Sequence, residues 1–129
     1  MSMARANYSS GAKWEQIVGY SRAARAGNII EVSGTTAIDA QGRVVSPGNA
    51  YEQAQFILKT IEGVLLNFGA GMEHVVRTRM YLTDIRHWEE VGRAHEEFFK
   101  NIKPAATMVQ VSALIDPNMV VEMEVTAIL

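Results

Sequence analysis

Apolar and polar side chains alternate between Val75 and Leu82, with Val76, Thr78, Met80 and Leu82 on one side of an extended chain and Val75, Arg77, Arg79 and Tyr81 on the other. The same period of two returns in the last strand predicted, residues 119–128, where Val121, Met123, Val125 and Ala127 interleave with Glu122, Glu124 and Thr126. Between the predicted strands the spacing changes to three and four. Ala54, Ile57, Leu58, Ile61, Val64, Leu65 and Phe68 form one helical stripe that stops before Gly69 and Gly71. Pro47-Gly48-Asn49 interrupts extended structure ahead of it, and Asn49 with Glu52 resembles a capping box, so this helix is expected to begin at Ala50.

Asp84 is the expected cap of a second helix. Its buried side should carry Trp88, Val91, His95, Phe98, Phe99 and Ile102, with Glu89–Arg93 and Glu96–Lys100 paired outside and Pro104 marking the end. Residues 105–114 read as a strand joined to 119–128 through the turn Asp116-Pro117-Asn118. Near the start, 19–25 and 28–33 flank Ala26-Gly27 as a hairpin, and the turn Asp39-Ala40-Gln41-Gly42 leads into a short strand at Arg43-Val44-Val45. The order of elements predicts a single α+β domain over residues 1–129, a sheet with two helices packed on one face. The opposite face, bearing Arg77, Arg79, Glu122 and Glu124 among apolar neighbours, must then meet either water or another subunit.

Composition narrows the chemistry. A net charge of −2 with 20% charged residues gives no footprint for a phosphate backbone, so neither nucleic acid nor an anionic membrane is an expected partner. Zero cysteines remove disulfides, thiolate catalysis and iron–sulfur clusters. The apolar content sits slightly above that of an average soluble domain, which hints at a buried subunit interface. The stretch Met-Ser-Met-Ala-Arg-Ala-Asn-Tyr has no apolar core of signal-peptide length, and a cytoplasmic location is the expectation.

Generic catalytic motifs are absent, and Gly69-Ala70-Gly71 follows a helix, where a dinucleotide fingerprint would follow a strand. His74, His87 and His95 lack metal-ligand spacing, so no metal is expected; His95 lies on an apolar stripe and reads as a hydrogen-bonded core histidine in preference to a base. Glu122 and Glu124 share a strand face. Partial burial would raise their pKa toward a range suited to proton transfer, whereas pairing with Arg77 or Arg79 would make them structural.

Taken in order, Tyr20, the Gly27-Asn28-Ile29-Ile30 turn into Val32-Ser33-Gly34, the helix ending Phe68-Gly69, the strand from Val75 to Asp84, Phe98-Phe99, Pro104-Ala105 and Val121-Glu122-Met123-Glu124 resemble the RidA (YjgF) family. That resemblance implies small proteins that deaminate reactive enamines and imines without a cofactor. It also implies a chorismate-mutase-like fold assembled as a homotrimer, with three sheets forming a central β-barrel, helices outside, and a small-molecule pocket at each subunit interface. Tyr20, Ser33 and Glu122 match pocket positions of the family and keep their residue types, Glu122 as the catalytic carboxylate.

One departure is chemically serious. Active members hold the substrate carboxylate through an arginine just after Pro-Ala, a bidentate, charge-assisted contact; here that position is Ala106, the family's cysteine two residues on is Met108, and an asparagine of the second helix is Gly92. The usual 2-imino acid specificity is therefore not expected. Either Arg22 or Arg79 takes over the anchor, each with a salt bridge to a neighbouring carboxylate as its structural alternative, or the substrate is neutral or differently charged. Two functions follow: a hydrolytic enamine/imine deaminase in which Glu122 activates water while Ser33 and Tyr20 orient the substrate, or a non-enzymatic trimer that binds a small metabolite in the same cleft. A chaperone-like role for exposed methionines is not required, since the seven Met fall mostly at core-compatible positions.

Overall fold

A computed structural model describes residues 4–129. The chain folds as β1 (Arg5–Tyr8), α1 (Lys13–Val18), β2 (Ala23–Ala26), β3 (Ile29–Thr35), α2 (Ala50–Leu66), β4 (Val75–Leu82), α3 (Trp88–Phe99), β5 (Ala105–Gln110) and β6 (Val121–Ile128). Its six strands form one sheet in the order β1-β2-β3-β6-β4-β5, antiparallel except for the parallel pair β4–β5. The α+β class and the helix–strand alternation expected from periodicity are both present.

The core is the helix-facing side of this sheet. Ile30, Val32, Met80, Leu82, Val121, Met123, Val125 and Ala127 are buried there against Ala54, Ile57, Leu58, Ile61 and Leu65 of α2 and Val91, Ala94 and Phe99 of α3. Helix α2 begins at Ala50 because the Asn49 side chain accepts from the Glu52 backbone N–H at 3.0 Å; the reciprocal arm of the capping box is missing, as the Glu52 carboxylate takes the Ser46 hydroxyl instead. Gln53 is fully buried in α2, and its amide is satisfied by the Ser46 and Asn118 carbonyls and the Val120 N–H at 2.9–3.1 Å. This polar staple fixes the start of α2 to the loop before β6.

Several expectations need correction. The first strand of the hairpin starts at Ala23 rather than at residue 19, because α1 runs to Val18 and Gly19 closes it in a left-handed conformation (φ 89°). The hairpin turn is Gly27-Asn28, one residue later than expected, since Ala26 pairs with Ile29. Arg43-Val44-Val45 forms only a single bridge, Val44 to Ile38. In β4 the register slips between Val75 and Arg77, and this bulge buries Val75 and leaves Val76 44% exposed, reversing the faces expected for both. Asp84 caps a short 3-10 turn (Ile85–His87) rather than α3 itself, accepting from the Arg86 N–H, and Trp88 at the start of α3 is 56% exposed. Neither Glu89–Arg93 nor Glu96–Lys100 is among the ion pairs of the described residues; the Arg93 guanidinium lies 4.1 Å over the Tyr51 ring. Strand β5 ends at Gln110, four residues early, and β6 starts at Val121.

Candidate functional site

The polar sheet face is built by period two. Arg77, Arg79 and Tyr81 of β4 lie beside Thr126, Glu124 and Glu122 of β6, all half-buried and opposite in side from the core residues between them. A concave site of about 610 Å³ crosses this face; Tyr20, Ser33, Arg79 and Glu124 are among its lining residues, with Arg5 and Glu15. Of the residues expected at the site, Tyr20, Ser33 and Arg79 therefore share one groove.

A second bulge shapes its neighbour. Strand β3 slips register against β6 between Val32 and Thr35, inserting an extra residue at Ser33-Gly34. Gly34 then lies directly against the Glu122 carboxylate, so closely that a Cβ there would stand 2.5 Å from Oε2. The Gly34 carbonyl accepts from Arg22 Nη2 at 2.6 Å, and the Arg22 guanidinium stands 5.7 Å from the Tyr20 ring. Ser33 donates its hydroxyl to the Ser21 carbonyl at 2.7 Å, which leaves its oxygen free to accept.

The electrostatics follow from this packing. Burial pushes the Glu122 carboxyl above the ordinary carboxylate range, opposed by the Arg22 charge and reinforced by Glu124. Tyr81 donates to Glu124 at 2.5 Å, and that bond, with burial and the Glu124 charge, raises the phenol pKa. Arg77 is committed to the Thr107 hydroxyl at 2.6 Å. Glu122, Glu124, Arg22 and Arg79 form no ion pair with one another, so the salt-bridge alternatives weighed for them from sequence are not realised among the described residues. In Glu15, which is 4% exposed, burial would raise the pKa, but hydrogen bonds from Ser10 and Ser9 hold it lower. That carboxylate ties α1 to the chain leaving β1.

Ala106 and Met108 stand apart. Parallel register sets them beside Thr78 and Met80, on the helix side of edge strand β5, with Ala106 exposed and Met108 packed against the core. One chain thus brings Tyr20, Arg22, Ser33, Arg79 and Glu122 to one face and leaves Ala106 and Met108 on the other. His95 is a core histidine: its Nε2 lies 2.9 Å from the Thr78 hydroxyl, its ring packs on Phe99 at 4.6 Å, and burial lowers its pKa. Among the described residues, no group of three or more His, Asp or Glu side chains is arranged to hold a metal, and no helix is long and apolar enough to cross a membrane. The residues that sequence reasoning passed over as chemistry are Gly34 and Tyr81, which donates to Glu124; the signal for Gly34 was an isolated glycine in an apolar–polar strand, which marks a bulge or a close approach.

Comparison with known proteins agrees with this architecture. Residues 10–129 match the family model described as endoribonuclease L-PSP. The chain is 38% identical over 118 residues to an uncharacterized protein of Streptomyces coelicolor, covering 92% of this chain and 87% of that one. It is 32% identical over 103 residues to the 3-aminoacrylate deaminase RutC of Acinetobacter baylyi, covering 80% and 81%. A crystal structure of a YjgF-family member from Mycobacterium tuberculosis is similar at 42% identity, with a TM-score of 0.89 over 98% of this chain and all of the other. With sequence and fold in agreement over nearly its whole length, the chain belongs to the RidA/YjgF family.

Proposed function

We propose that this protein is a cofactor-free hydrolytic deaminase of a small enamine or imine. The observation that carries the reading is Glu122: a half-buried carboxylate on the polar face, engaged in no ion pair among the described residues, with burial raising its pKa toward the range of a group that both takes and returns a proton. An enamine first tautomerises to the imine, its nitrogen proton passing through water to carbon, and the imine nitrogen takes a proton from solvent. Glu122 removes a proton from water as the oxygen attacks the carbon of the protonated C=N group, giving a neutral carbinolamine. Glu122 returns that proton to the nitrogen, ammonia leaves, and the hydroxyl proton passes to solvent as the carbonyl forms. Tyr20 and Ser33 orient the substrate, and Arg79, which faces the groove without an ion pair among the described residues, is the cation available to an acidic group. A relative 32% identical bears the name of a deaminase of 3-aminoacrylate, which supports the reaction class.

The polar face also supports a homotrimer in which neighbouring sheets cover it and edge strand β5 brings Ala106 and Met108 of the adjoining subunit to the pocket. Native mass should be three times that of the chain; a monomer at micromolar concentration would defeat this arrangement. The ligand is a small molecule in the cytoplasm rather than nucleic acid or membrane, consistent with a net charge of −2 and charges of mixed sign on this face.

The test is an assay in which an amino-acid oxidase generates imines and the extra rate of carbonyl formation is followed, with 3-aminoacrylate tested in parallel. Simple 2-imino acids should turn over more slowly than with a relative that has arginine at the position of Ala106. Ligand binding in the cleft with no acceleration of any imine or enamine would instead establish a metabolite-binding protein, a reading that Ala106 favours because it removes the usual anchor.

A further inference from the structure

We infer that Arg22 is a positioning residue for Glu122: held by Gly34 beside the carboxylate but out of contact with it, the guanidinium keeps Glu122 anionic and unpaired. The inference deepens the deaminase reading by assigning control of its proposed base, but the geometry on which it rests is independent of turnover.

Arg22 is fixed at its root. Its backbone N–H donates to the Tyr8 carbonyl at 2.9 Å and its carbonyl accepts from the Ser33 N–H at 2.9 Å, so the residue is stitched between β1 and β3 just ahead of β2. The tip is fixed too. Nη2 donates to the Gly34 carbonyl at 2.6 Å, and the Tyr20 ring lies 5.7 Å from the guanidinium carbon. Gly34 is also the surface on which Glu122 rests, because no Cβ separates its backbone from the carboxylate. Cation and anion are thus seated on one bulged residue.

They nevertheless do not close. Arg22 makes no ion pair among the described residues, and its Nε is buried without a hydrogen-bond partner. An orphaned buried donor is costly, and an ion pair with Glu122 would relieve that cost. The bond to Gly34 holds the guanidinium back from that closure. A paired carboxylate would have its lone pairs occupied and its basicity lowered; an unpaired one beside a positive charge stays ionised and remains open to water.

The charges around Glu122 make Arg22 necessary. Glu124 on its own strand opposes ionisation, as does burial. Across on β4, Tyr81 is neutral and gives its hydroxyl to Glu124, while Arg79 lies opposite Glu124 rather than Glu122. Arg22, arriving from the start of β2, is the cation acting on Glu122. Without it, burial and Glu124 would leave Glu122 protonated closer to neutrality, and a protonated carboxyl cannot take a proton from water.

The experiment is an NMR titration of the Glu122 side-chain carboxyl in the full chain, its signal assigned by its loss in Glu122→Gln. In Arg22→Gln the midpoint should rise by about one to three pH units, the effect of removing an opposite charge at close range. Arg22→Lys, which keeps the charge, should shift it much less. An unmoved or lowered midpoint in Arg22→Gln, or equal shifts in the two variants, overturns the inference. Should Arg22→Gln not fold, the unmodified protein decides: the Arg22 Nε–H resonance should move with the midpoint of the Glu122 carboxyl, and an Nε–H signal indifferent to that titration overturns the inference equally. Once a substrate is identified, the acid limb of the rate profile should follow the carboxyl midpoint. A shifted midpoint in a protein that deaminates nothing leaves Arg22 assigned and removes the deaminase; turnover with an unshifted midpoint does the reverse.

Discussion

Met123 and Glu122 are neighbours on one strand, yet they belong to two different kinds of surface. Met123 is fully buried on the helix side among Leu82, Val121 and Val125, apolar side chains that contribute by being removed from water. Glu122 is half-buried on the other side, where Arg79, Tyr81 and Glu124 stand close together with few of their charges matched. A face maintained for stability would pair such charges or replace them. Keeping a carboxylate half-desolvated and unpaired costs stability and confers basicity, which is the balance expected at a site of chemistry.

The strongest way to break this contrast is to exchange the two residues' chemistry separately. Glu122→Gln preserves shape and removes the titrating group, so turnover of any identified substrate should fall about a hundredfold to ten-thousandfold while native mass is unchanged. Retained turnover with an intact pH profile would reduce Glu122 to a structural role. Met123→Ala, one residue away, should instead lower unfolding free energy by about 2–5 kcal/mol in chemical denaturation. A cost below about 1 kcal/mol would mean that the helix side is less tightly packed than its burial implies.

A smaller effect sharpens the same point. Because burial raises the folded-state pKa of Glu122 above its unfolded value, the stability linked to this group is present below the ordinary carboxylate pKa and is lost as pH rises through the folded-state value. Glu122→Gln should therefore melt at a higher temperature than the unmodified protein at neutral pH and lose that advantage in acid; a lower melting temperature at neutral pH would contradict the assignment. His95 supplies the converse from the helix side. Its folded-state pKa is depressed by burial, so its contribution is present above the ordinary histidine pKa and is lost as pH falls through the lowered value. His95→Gln should flatten this part of the stability curve, measured as melting temperature between neutral and mildly acidic pH. The smallest expected difference concerns the bulge in β4, where Val75→Thr should destabilise and Val76→Thr should be nearly neutral, a reversal of what strict alternation predicts.

Periodicity made most of this fold legible. The stripe from Ala54 to Leu65, the alternation of Val121 to Ala127 and the cap at Asn49 each report a local preference for helix, strand or helix start, and such preferences survive in any context that offers them an apolar partner. What failed was local in a different sense. Strand β1 reads Arg-Ala-Asn-Tyr with no alternation, and α1 is six residues long; both depend on partners outside themselves, β2 in one case and, in the other, Ser9 and Ser10, which donate to the buried Glu15 carboxylate of α1.

The candidate site divides along the same line. The residue types of Tyr20, Ser33, Glu122 and Ala106, and hence the candidate carboxylate and the alanine where the family's arginine would stand, are properties of the sequence alone. That Tyr20, Ser33 and Arg79 share a groove, that Gly34 carries both the Glu122 carboxylate and the Arg22 guanidinium, and that Ala106 turns to the other side of the sheet were decided by the β3 bulge and the parallel register of β5. A bulge costs one residue of register and is set by the strands on either side of it, so its position is a property of the assembled sheet. Side-chain identity is written residue by residue; the distance between a carboxylate and a cation separated by a hundred residues of chain exists only once β2, β3 and β6 have paired.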